Sequence, residues 1–396
     1  MRGARPETHV AYVSERSDLF GGGQMSLCDL VLGLRGTRVR PLVVVPGPGP
    51  LSETLDGQGT EWVPLEVPPL VAGAGIGAFR TLARLRRLVR ERGIDLLHTD
   101  TPRTALYAGL AARLSSRRHV FHLRASRASA AVDRLLVALS DRVIAVSRAA
   151  ATRSRAVRES QKTRVVTTGL APIGFLPRRE ARHLLDLPQD VFVLGVVGRV
   201  EEDKGRDDAL TALATVRRVL PGALLVFLGP VDPGDTWAHT CSLRAAASGM
   251  VGAVRLAGPH PSAARLFKAF DVLLHPSRHE ALPRVVIEAQ FAEVPVVAAA
   301  VGGVPEIIEP GRNGLLVPPR DPEALAQAAV SLARDPEAGI RLARVGLDRA
   351  RPRFSIERMA AAILAIYDEV LPPRPVGALP GASRTGAGNR AREATP

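Results

Sequence analysis

The chain has 396 residues, 46% of them hydrophobic and 23% charged, which is the balance of a folded protein long enough for two domains. This composition excludes a disordered or fibrous protein, and no apolar run approaches the roughly 20 residues that a membrane-spanning helix needs. The net charge is +14, and residues 1–170 carry most of it, with 26 lysines and arginines against 14 acidic residues.

Along the chain, short apolar runs alternate with longer amphipathic stretches, the pattern of βαβ units on parallel sheets. In the first half, strands are predicted at His9–Val13, Pro41–Val45, Ile94–Leu97, His119–Leu123, Arg142–Val146 and Thr163–Thr167. Helices are predicted there at Gln24–Leu34, Ala78–Arg92, Arg103–Leu114 and Val132–Leu139. The second half has predicted strands at Val191–Val197, Ala223–Leu228, Val272–His275 and Pro295–Ala299, and a helix at Ile356–Leu371.

The predicted fold class is α/β, with two domains built on doubly wound parallel sheets. Residues 1–168 form the first domain and residues 169–354 the second, because the stretch from Gly169 to Pro188 is rich in glycine, proline and arginine. A helix over residues 355–371 follows. The tail, residues 372–396, has almost no large apolar residue and is predicted to be disordered.

A glycine run, Gly21–Gly23, follows the first predicted strand and directly precedes a helix. Glycines allow a ligand to approach the backbone, and a helix N-terminus offers free amides to an anion. The run lacks the G-x-G-x-x-G spacing of a dinucleotide site, so a flexible turn is the alternative.

The loop Gly198–Gly205 lies at the carboxyl end of a predicted strand, the edge at which open α/β sheets bind ligands. Arg199 and Lys204 flank this loop and could together neutralise a diphosphate. The alternative is a solvated loop in which Arg199 pairs with Glu201 or Asp203.

Two carboxylates, Glu280 and Glu288, follow the next predicted buried strand. Pro283 suits the first position of a helix, which leaves Glu280 in the loop and Glu288 in the second helical turn. The free amides of Arg284 and Val285 would then point at a phosphate. This layout suits a nucleotide-sugar. The alternative is that Glu280 caps the helix and Glu288 lies on the surface.

Other signals are weaker when each is taken alone. His98 and His122 end predicted strands, where a lone histidine is more often structural than catalytic, and Gly302–Gly303 form a glycine loop before a predicted helix. No group of histidines or acidic residues has metal-ligand spacing, because Asp207 and Asp208 lie inside a helical pattern. We therefore expect no metal and no other cofactor.

In this order, the segments resemble the retaining glycosyltransferases of family 4, which have the GT-B architecture of two Rossmann-like domains. The resemblance covers most of residues 9–371 and is strongest in the second half. The segments that carry it are Gly21–Gly23, His122, Asp141–Ser147, Gly198–Gly205, Pro276–Ala289 and Val301–Val317.

The resemblance implies that the second domain binds a nucleoside-diphosphate sugar and that the first domain binds a hydroxyl acceptor. Arg199 and Lys204 would hold the leaving diphosphate, while Glu280 would bind the transferred sugar. Helix 355–371 would cross back onto the first domain. The catalytic residues would be His122, Arg199, Lys204 and Glu280, and further donor-binding residues would be Gly22, Gly23, Arg284, Val285 and Glu288.

The family resemblance also implies a front-face mechanism, in which the departing phosphate helps to deprotonate the acceptor without a carboxylate nucleophile or a metal. Three positions depart from the family pattern. Ala281 stands where glycine is usual, Thr168 replaces an asparagine before Gly169, and Gln24 stands where many relatives carry glutamate. Ala281 narrows the pocket slightly and leaves the donor sugar open.

Two other functions compete with transfer. A sugar-nucleotide 2-epimerase has the same architecture and would convert the donor without an acceptor. A basic nucleic-acid binder would use the charge of the first half, but aromatic residues make up only 4% of the chain and do not cluster with arginines. We therefore predict no nucleic-acid partner.

The basic charge is densest in the helix Arg80–Arg92, which also carries Leu82, Leu85 and Val89. Such a helix is a candidate for contact with an anionic membrane surface, although a GC-rich genome would explain the arginines equally well. Two isolated cysteines and the lack of a signal-peptide pattern favour a cytoplasmic protein, at most peripherally attached to a membrane.

Overall fold

The chain folds around two separate parallel β-sheets. The computed structural model describes residues 7–69, 75–127, 129–232, 234–247, 249–261 and 263–371. The strands of the first sheet are β1 (Thr8–Val13), β2 (Val39–Val45), β3 (Glu61–Pro64), β4 (Leu96–Thr99), β5 (Arg118–Leu123), β6 (Arg142–Ala145) and β7 (Thr163–Val165). They pair in parallel in the order β3-β2-β1-β4-β5-β6-β7, so the strand order reverses beside β1.

The second sheet is also parallel. Its strands are β8 (Val193–Val197), β9 (Leu224–Leu228), β10 (Val254–Gly258), β11 (Val272–His275), β12 (Val296–Ala299) and β13 (Leu315–Val317). They pair in the order β10-β9-β8-β11-β12-β13, which again reverses beside the first strand of the sheet. Each reversal opens a crevice at the carboxyl ends of the strands, where a ligand can bind.

Helices cover the faces of both sheets. Those of the first half are α1 (Gly22–Gly33), α2 (Pro50–Gly57), α3 (Gly75–Glu91), α4 (Pro102–Leu114), α5 (Ala130–Leu139), α6 (Arg148–Ala151) and α7 (Arg155–Arg158). Those of the second half are α8 (Arg178–Leu184), α9 (Arg206–Val219), α10 (Trp237–Ala247), α11 (Arg284–Phe291), α12 (Val304–Ile307), α13 (Pro322–Arg334), α14 (Pro336–Arg353) and α15 (Ile356–Val370). Two 3₁₀ helices, Glu202–Lys204 and Ala263–Ala269, complete the second half.

The chain crosses between the two sheets twice, side by side. The amide of Leu170, on the first crossing, donates to the carbonyl of Phe354, on the second, over 2.9 Å. A Cβ on Gly169 would lie 2.4 Å from the carbonyl oxygen of Ser355, so only glycine fits there. From this point α15 returns across the first domain and packs on α1, with Tyr367 fully buried. The two-domain α/β fold class is thus confirmed, whereas the predicted tail 372–396 lies outside the described residues.

The apolar stripe of α3 packs inside the protein rather than facing outward. Leu85 and Val89 are both 0% exposed, and Leu82 packs against the same core cluster. The interpretation of these three residues as a lipid-facing stripe is wrong, because a helix that covers an α/β sheet has the same pattern as an interfacial helix. Among the described residues, none of the helices has the length and apolar character required to cross a bilayer.

Candidate active site

The carboxyl ends of strands from both sheets border a cavity of about 650 Å³ between the two domains. Its first-domain wall includes Arg124, which follows β5, and Thr168 at the crossing. Its second-domain wall includes the ends of β8 and β11 and the start of α11. The predicted site residues that line it are Gly22, Gly23, Arg199, Lys204, Glu280, Arg284, Val285 and Glu288.

An ion pair joins two of these residues at the second-domain wall. The Nζ of Lys204 donates to Oε1 of Glu280 over 2.6 Å, and Nε2 of His275 lies 3.1 Å from the same oxygen. Burial alone would raise the pKa of Glu280, but the contacts with His275 and Lys204 outweigh it and lower the pKa to about 2. Glu280 is therefore an ionised hydrogen-bond acceptor near neutral pH.

Arg199 lines the cavity with a half-exposed side chain. Its Nη1 lies 2.9 Å from Oε1 of Glu201, which is one of the pairings expected of a solvated loop. An exposed ion pair of this kind contributes only about 0–1 kcal/mol. Arg199 can therefore exchange Glu201 for a more highly charged anion in the cavity at little cost.

Helix α11 begins at Arg284, one residue later than predicted, with Pro283 as its N-cap and no side chain capping it. Glu280 therefore does not cap this helix. Glu288 is buried rather than on the surface, and its Oε1 accepts a hydrogen bond from Nε of Arg284 over 2.6 Å. The first amides of an α-helix have no partner inside the helix, so those of Arg284 and Val285 suit an anion.

Arg284 also bridges the two domains. Its Nη1 donates to Oδ2 of Asp29 on α1, and both side chains are at most 10% exposed. Removing Arg284 would take the cation away from two buried carboxylates, Asp29 and Glu288, which is strongly destabilising. The chain Glu288–Arg284–Asp29 thus links a predicted donor-binding carboxylate to the helix that follows the glycine loop.

Glycines allow the loops that carry Lys204 and Glu280 to approach their neighbours closely. Gly205 has a φ of +69°, and a Cβ there would lie 2.1 Å from the carbonyl oxygen of Pro276. A Cβ on Gly302, whose φ is +50°, would lie 1.7 Å from the carbonyl oxygen of Glu280. The Gly302–Gly303 motif therefore packs against the backbone of the Glu280 loop.

Residues of the first domain hold the same loop from the other side. The hydroxyl of Ser147 donates to the carbonyl of Ala281 over 2.6 Å. The carboxylate of Glu306 accepts from the amides of Arg148 and Ala149 at 3.0 and 2.9 Å. Ser147 and Glu306, both in segments that carry the family resemblance, thus join the two domains beside Glu280.

The substitution Gly302→Ala is expected to lower turnover about tenfold or more, because a Cβ at this position displaces the backbone of Glu280. Gly311→Ala is the matched control, since Gly311 also has a positive φ of +72° but no atom within 4 Å of a Cβ. Only backbone strain of about 1 kcal/mol is expected there. Thermal unfolding and donor hydrolysis measure both effects, and equal losses in the two variants would contradict the role of the contact.

His122 does not line the cavity, and its predicted catalytic role stays a prediction. Its side chain is 0% exposed, and its Nδ1 lies 3.2 Å from Nε2 of His98. The Nδ1 of His98 lies 2.6 Å from the hydroxyl of Tyr367, which is 2.9 Å from that of Tyr12. Arg124, two residues further on, lines the cavity instead.

Arg124 adds a donor to this group of side chains. Its Nη2 lies 3.3 Å from Nδ1 of His122, and an arginine can only donate, so Nδ1 accepts. Burial and the nearby arginine charge lower the pKa of both histidines well below the usual 6.5, so both are neutral.

Stability is expected to fall with acidification, because the unfolded chain protonates these histidines below pH 6.5 while the folded chain does not. The free energy of unfolding then falls by about 1 kcal/mol for each buried histidine between pH 7 and pH 5.5. Denaturant unfolding at the two pH values should show a smaller loss in His122→Asn than in the wild type. His183→Asn, at an exposed histidine, should keep the full loss. A loss of stability in His122→Asn as large as that of the wild type would contradict the neutral state of His122 in the folded chain.

Sequence reasoning missed Arg124, Asp29, His275 and Ser147 as residues of the site. Arg124 had a usable signal, because it directly follows a predicted strand at the ligand-binding edge, but arginine is too common in this chain to stand out. Asp29 meets its partner 255 residues away, and no local spacing reveals such a contact.

Two Rossmann-like domains that face each other across a cleft, with a last helix returning to the first domain, define the GT-B architecture. A model described as Glycosyltransferase Family 4 matches residues 20–172, and one described as Glycosyl transferases group 1 matches residues 191–335. The chain therefore belongs to the glycosyltransferases of family 4 and group 1.

Solved structures with the same fold extend over nearly the whole chain. HepE of Anabaena, crystallised with UDP and glucose, is 23% identical with a TM-score of 0.80, covering 90% of this chain and 98% of HepE. Sucrose-phosphate synthase of Thermosynechococcus elongatus is 22% identical with a TM-score of 0.75, and the match covers 92% of this chain and 99% of the synthase. At this identity the likeness shows the fold.

Curated relatives match part of the chain. The D-inositol 3-phosphate glycosyltransferase of Stackebrandtia nassauensis is 34% identical over 230 residues, which is 55% of this chain and 51% of the relative. The protein of the same name from Saccharomonospora viridis is 35% identical over 217 residues, 52% of this chain and 50% of the relative. The chain thus spans about half the length of the curated relatives it matches.

Proposed function

We propose that the protein transfers a sugar from a nucleoside-diphosphate sugar to a hydroxyl acceptor with retention of the anomeric configuration. The observation that carries the proposal is the Lys204–Glu280 ion pair at the cavity wall, beside Arg199 and the free N-terminus of α11. Cations and amides suit a diphosphate, and an ionised carboxylate suits the hydroxyls of a sugar. Family membership supports the reaction class.

In the proposed reaction, the bond between C1 of the sugar and the diphosphate oxygen breaks while negative charge grows on that oxygen. Arg199 and Lys204 stabilise this charge, and electrostatic stabilisation of this kind is usually the largest single contribution to catalysis. Glu280 accepts hydrogen bonds from the sugar hydroxyls and keeps the sugar oriented. Glu288, held by Arg284, accepts those of the ribose.

The acceptor oxygen bonds to C1 on the face that the diphosphate leaves. Its proton passes to an oxygen of the departing diphosphate, so no protein carboxylate has to form a bond to the sugar. This front-face course gives retention in a single step. The hydrogen bond between Ser147 and the Ala281 carbonyl holds the Glu280 loop against the first domain, so that the carboxylate that would orient the sugar stays in position.

UDP is our first choice of donor nucleotide, because HepE was crystallised with it, and D-inositol 3-phosphate is the first acceptor to test. The decisive experiment screens UDP-, GDP- and ADP-sugars by calorimetry and by release of the nucleoside diphosphate, with and without acceptor. Binding and slow hydrolysis of one nucleotide class are expected. Binding of no nucleotide-sugar would refute the proposal, and epimerisation of the donor without acceptor would favour the 2-epimerase.

We propose further that transfer requires no metal ion, because Arg199 and Lys204 already supply two positive charges to the diphosphate. EDTA is therefore expected to leave the rate of donor hydrolysis unchanged. The measurement is the initial rate before and after dialysis against EDTA, with added Mg²⁺ as the second arm. Loss of activity on chelation and its return with Mg²⁺ would contradict this.

A cytoplasmic protein at the surface of an anionic membrane is our proposal for location, supported by the outer side of α3. Ile76 and Phe79, three residues apart at the start of α3, are each 72% exposed. Arg80 and Arg84 follow on the exposed side. Exposed apolar residues flanked by arginines are typical of a helix end that enters the headgroup region.

Flotation with vesicles tests this location. The wild type is expected to float with phosphatidylserine-containing vesicles and to stay behind with neutral ones, whereas the double variant Ile76→Ser, Phe79→Ser should lose most of its binding. Ile340→Ser is the matched control, because Ile340 is 59% exposed on α14 of the second domain. Absence of lipid-dependent flotation by the wild type would refute membrane contact.

A further inference from the structure

An arginine that the proposed reaction does not use lines the cavity from the first domain. Arg124 follows β5, and its side chain is only 13% exposed. It lies against the glycine loop, since a Cβ on Gly23 would lie 3.9 Å from Cδ of Arg124. A nearly buried cation therefore borders the cavity from the first domain, whereas Arg199 and Lys204 border it from the second.

The contacts of Arg124 within the protein are long. Its Nη1 lies 3.5 Å from the hydroxyl of Thr168, its Nη2 3.3 Å from His122, and its Nε 3.9 Å from Oδ2 of Asp100. In the part of the chain that the structure describes, Nε is buried without a hydrogen-bond partner. Burial outweighs the attraction of Asp100 and lowers the pKa of Arg124 to about 10. Buried charges are normally well paired, so the guanidinium of Arg124 lacks part of the negative charge that would offset its burial.

The start of α1 adds positive potential at the same point. Its N-cap, Gly21, has an extended backbone and no side-chain cap, and the first turn of this 12-residue helix contains no acidic residue. The aligned peptide dipoles leave a partial positive charge at such an end. Arg124 and the first turn of α1 meet at Gly23, where a Cβ would also lie 3.3 Å from Oδ2 of Asp100. Both favour an oxyanion, and the carboxylate of Asp100 already supplies part of that negative charge.

We propose that Arg124 binds an anionic group of the acceptor, a phosphate, at the first-domain wall of the cavity. The inference rests on the proposed function, in which Arg199 and Lys204 take the diphosphate of the donor. A phosphate can accept two hydrogen bonds from the guanidinium fork and supplies the charge that Asp100, at 3.9 Å, provides only weakly. The donor's own diphosphate has the same chemistry and is the competing source.

The test titrates inorganic phosphate into the protein at constant ionic strength. The protein is first saturated with whichever of UDP, GDP and ADP binds it most tightly, so that the donor's phosphate sites are filled. The wild type is expected to bind phosphate under these conditions. Arg124→Gln should bind phosphate about tenfold or more weakly, because it loses a charge-assisted hydrogen bond. Its affinity for the nucleotide should stay within about twofold of the wild type.

Two further variants keep the result interpretable. Arg134→Gln removes an exposed arginine of α5 and should bind phosphate as the wild type does. Arg124→Lys keeps the charge without the fork, and it should retain phosphate binding within about tenfold even if Arg124→Gln does not fold. A Lys variant that folds and binds no phosphate would overturn the proposal.

Three other results would overturn it as well. The wild type could fail to bind phosphate beside the nucleotide, or Arg124→Gln could bind phosphate unchanged. Loss of nucleotide affinity in Arg124→Gln, with phosphate binding kept, would assign the arginine to the diphosphate of the donor. Failure of the wild type to bind any of the three nucleotides would refute the proposed function itself, and this inference with it.

Discussion

Replacing Lys204 with alanine is expected to lower the rate constant for nucleoside diphosphate release about a thousandfold, while donor affinity falls much less. A fixed cation at the leaving oxygen acts mainly in the transition state, and one such group typically contributes about 10²–10³ in rate. The variant also leaves the buried carboxylate of Glu280 without the lysine that contacts it at 2.6 Å. Initial rates of donor hydrolysis and calorimetric donor titration separate the two effects.

Lys268→Ala is the control for this experiment, because Lys268 is one of only three lysines and does not line the interdomain cavity. It removes the same charge and should leave hydrolysis within about twofold of the wild type, as surface substitutions usually do. Near-normal turnover by Lys204→Ala would contradict the assignment of this lysine to the leaving group.

Replacing Glu280 with glutamine is expected to lower turnover about a hundredfold or more. Glutamine has nearly the same shape, but hydrogen bonds to a neutral amide are roughly half as strong as those to a carboxylate. The side-chain amino group of the glutamine would also face Nζ of Lys204, where the charged Oε1 of Glu280 now accepts a hydrogen bond. Glu337→Gln, at an exposed carboxylate in the first turn of α14, is the matched control. Equal turnover by the two variants would contradict a role for Glu280 in holding the sugar.

The pH dependence of stability reports on the same carboxylate. The pKa of Glu280 is lowered from 4.5 to about 2 on folding, so the unfolded chain binds the proton first as pH falls. The stabilisation from the ionised group is thus complete above pH 4.5 and is lost as pH falls towards 2. The stability difference between wild type and Glu280→Gln should therefore be constant above pH 5 and shrink in more acidic solution.

Most of the fold could be predicted because its central strands are buried on both faces. Continuous apolar runs such as Val193–Val197 and Leu224–Leu228 indicate buried parallel strands when they alternate with helical segments along the chain. All ten predicted strands are present with ends within two residues. The missed strands, Glu61–Pro64, Val254–Gly258 and Leu315–Val317, all lie at sheet edges and are short or only partly buried, so they lack a long buried apolar run.

The predicted site followed from the rule that ligands bind at the carboxyl ends of parallel strands. This rule correctly brought Arg199, Lys204, Glu280 and Glu288 to one cavity. It could not separate His122 from Arg124, because residues two apart in a strand share a face, and only the end of β5 at Leu123 lets the chain turn and bring Arg124 to the cavity. Contacts between the domains, such as Arg284 with Asp29, depend on how the two sheets face each other.

The configuration of the sugar at C1 tests the central claim most directly. Proton NMR of the reaction with the donor identified by the nucleotide-sugar screen would follow the anomeric signal of the transferred or released sugar before it can equilibrate. We expect the first product to keep the anomeric configuration of the donor, and Lys204→Ala to form it far more slowly. An inverted anomer as the first product would contradict front-face transfer at the Arg199–Lys204 site.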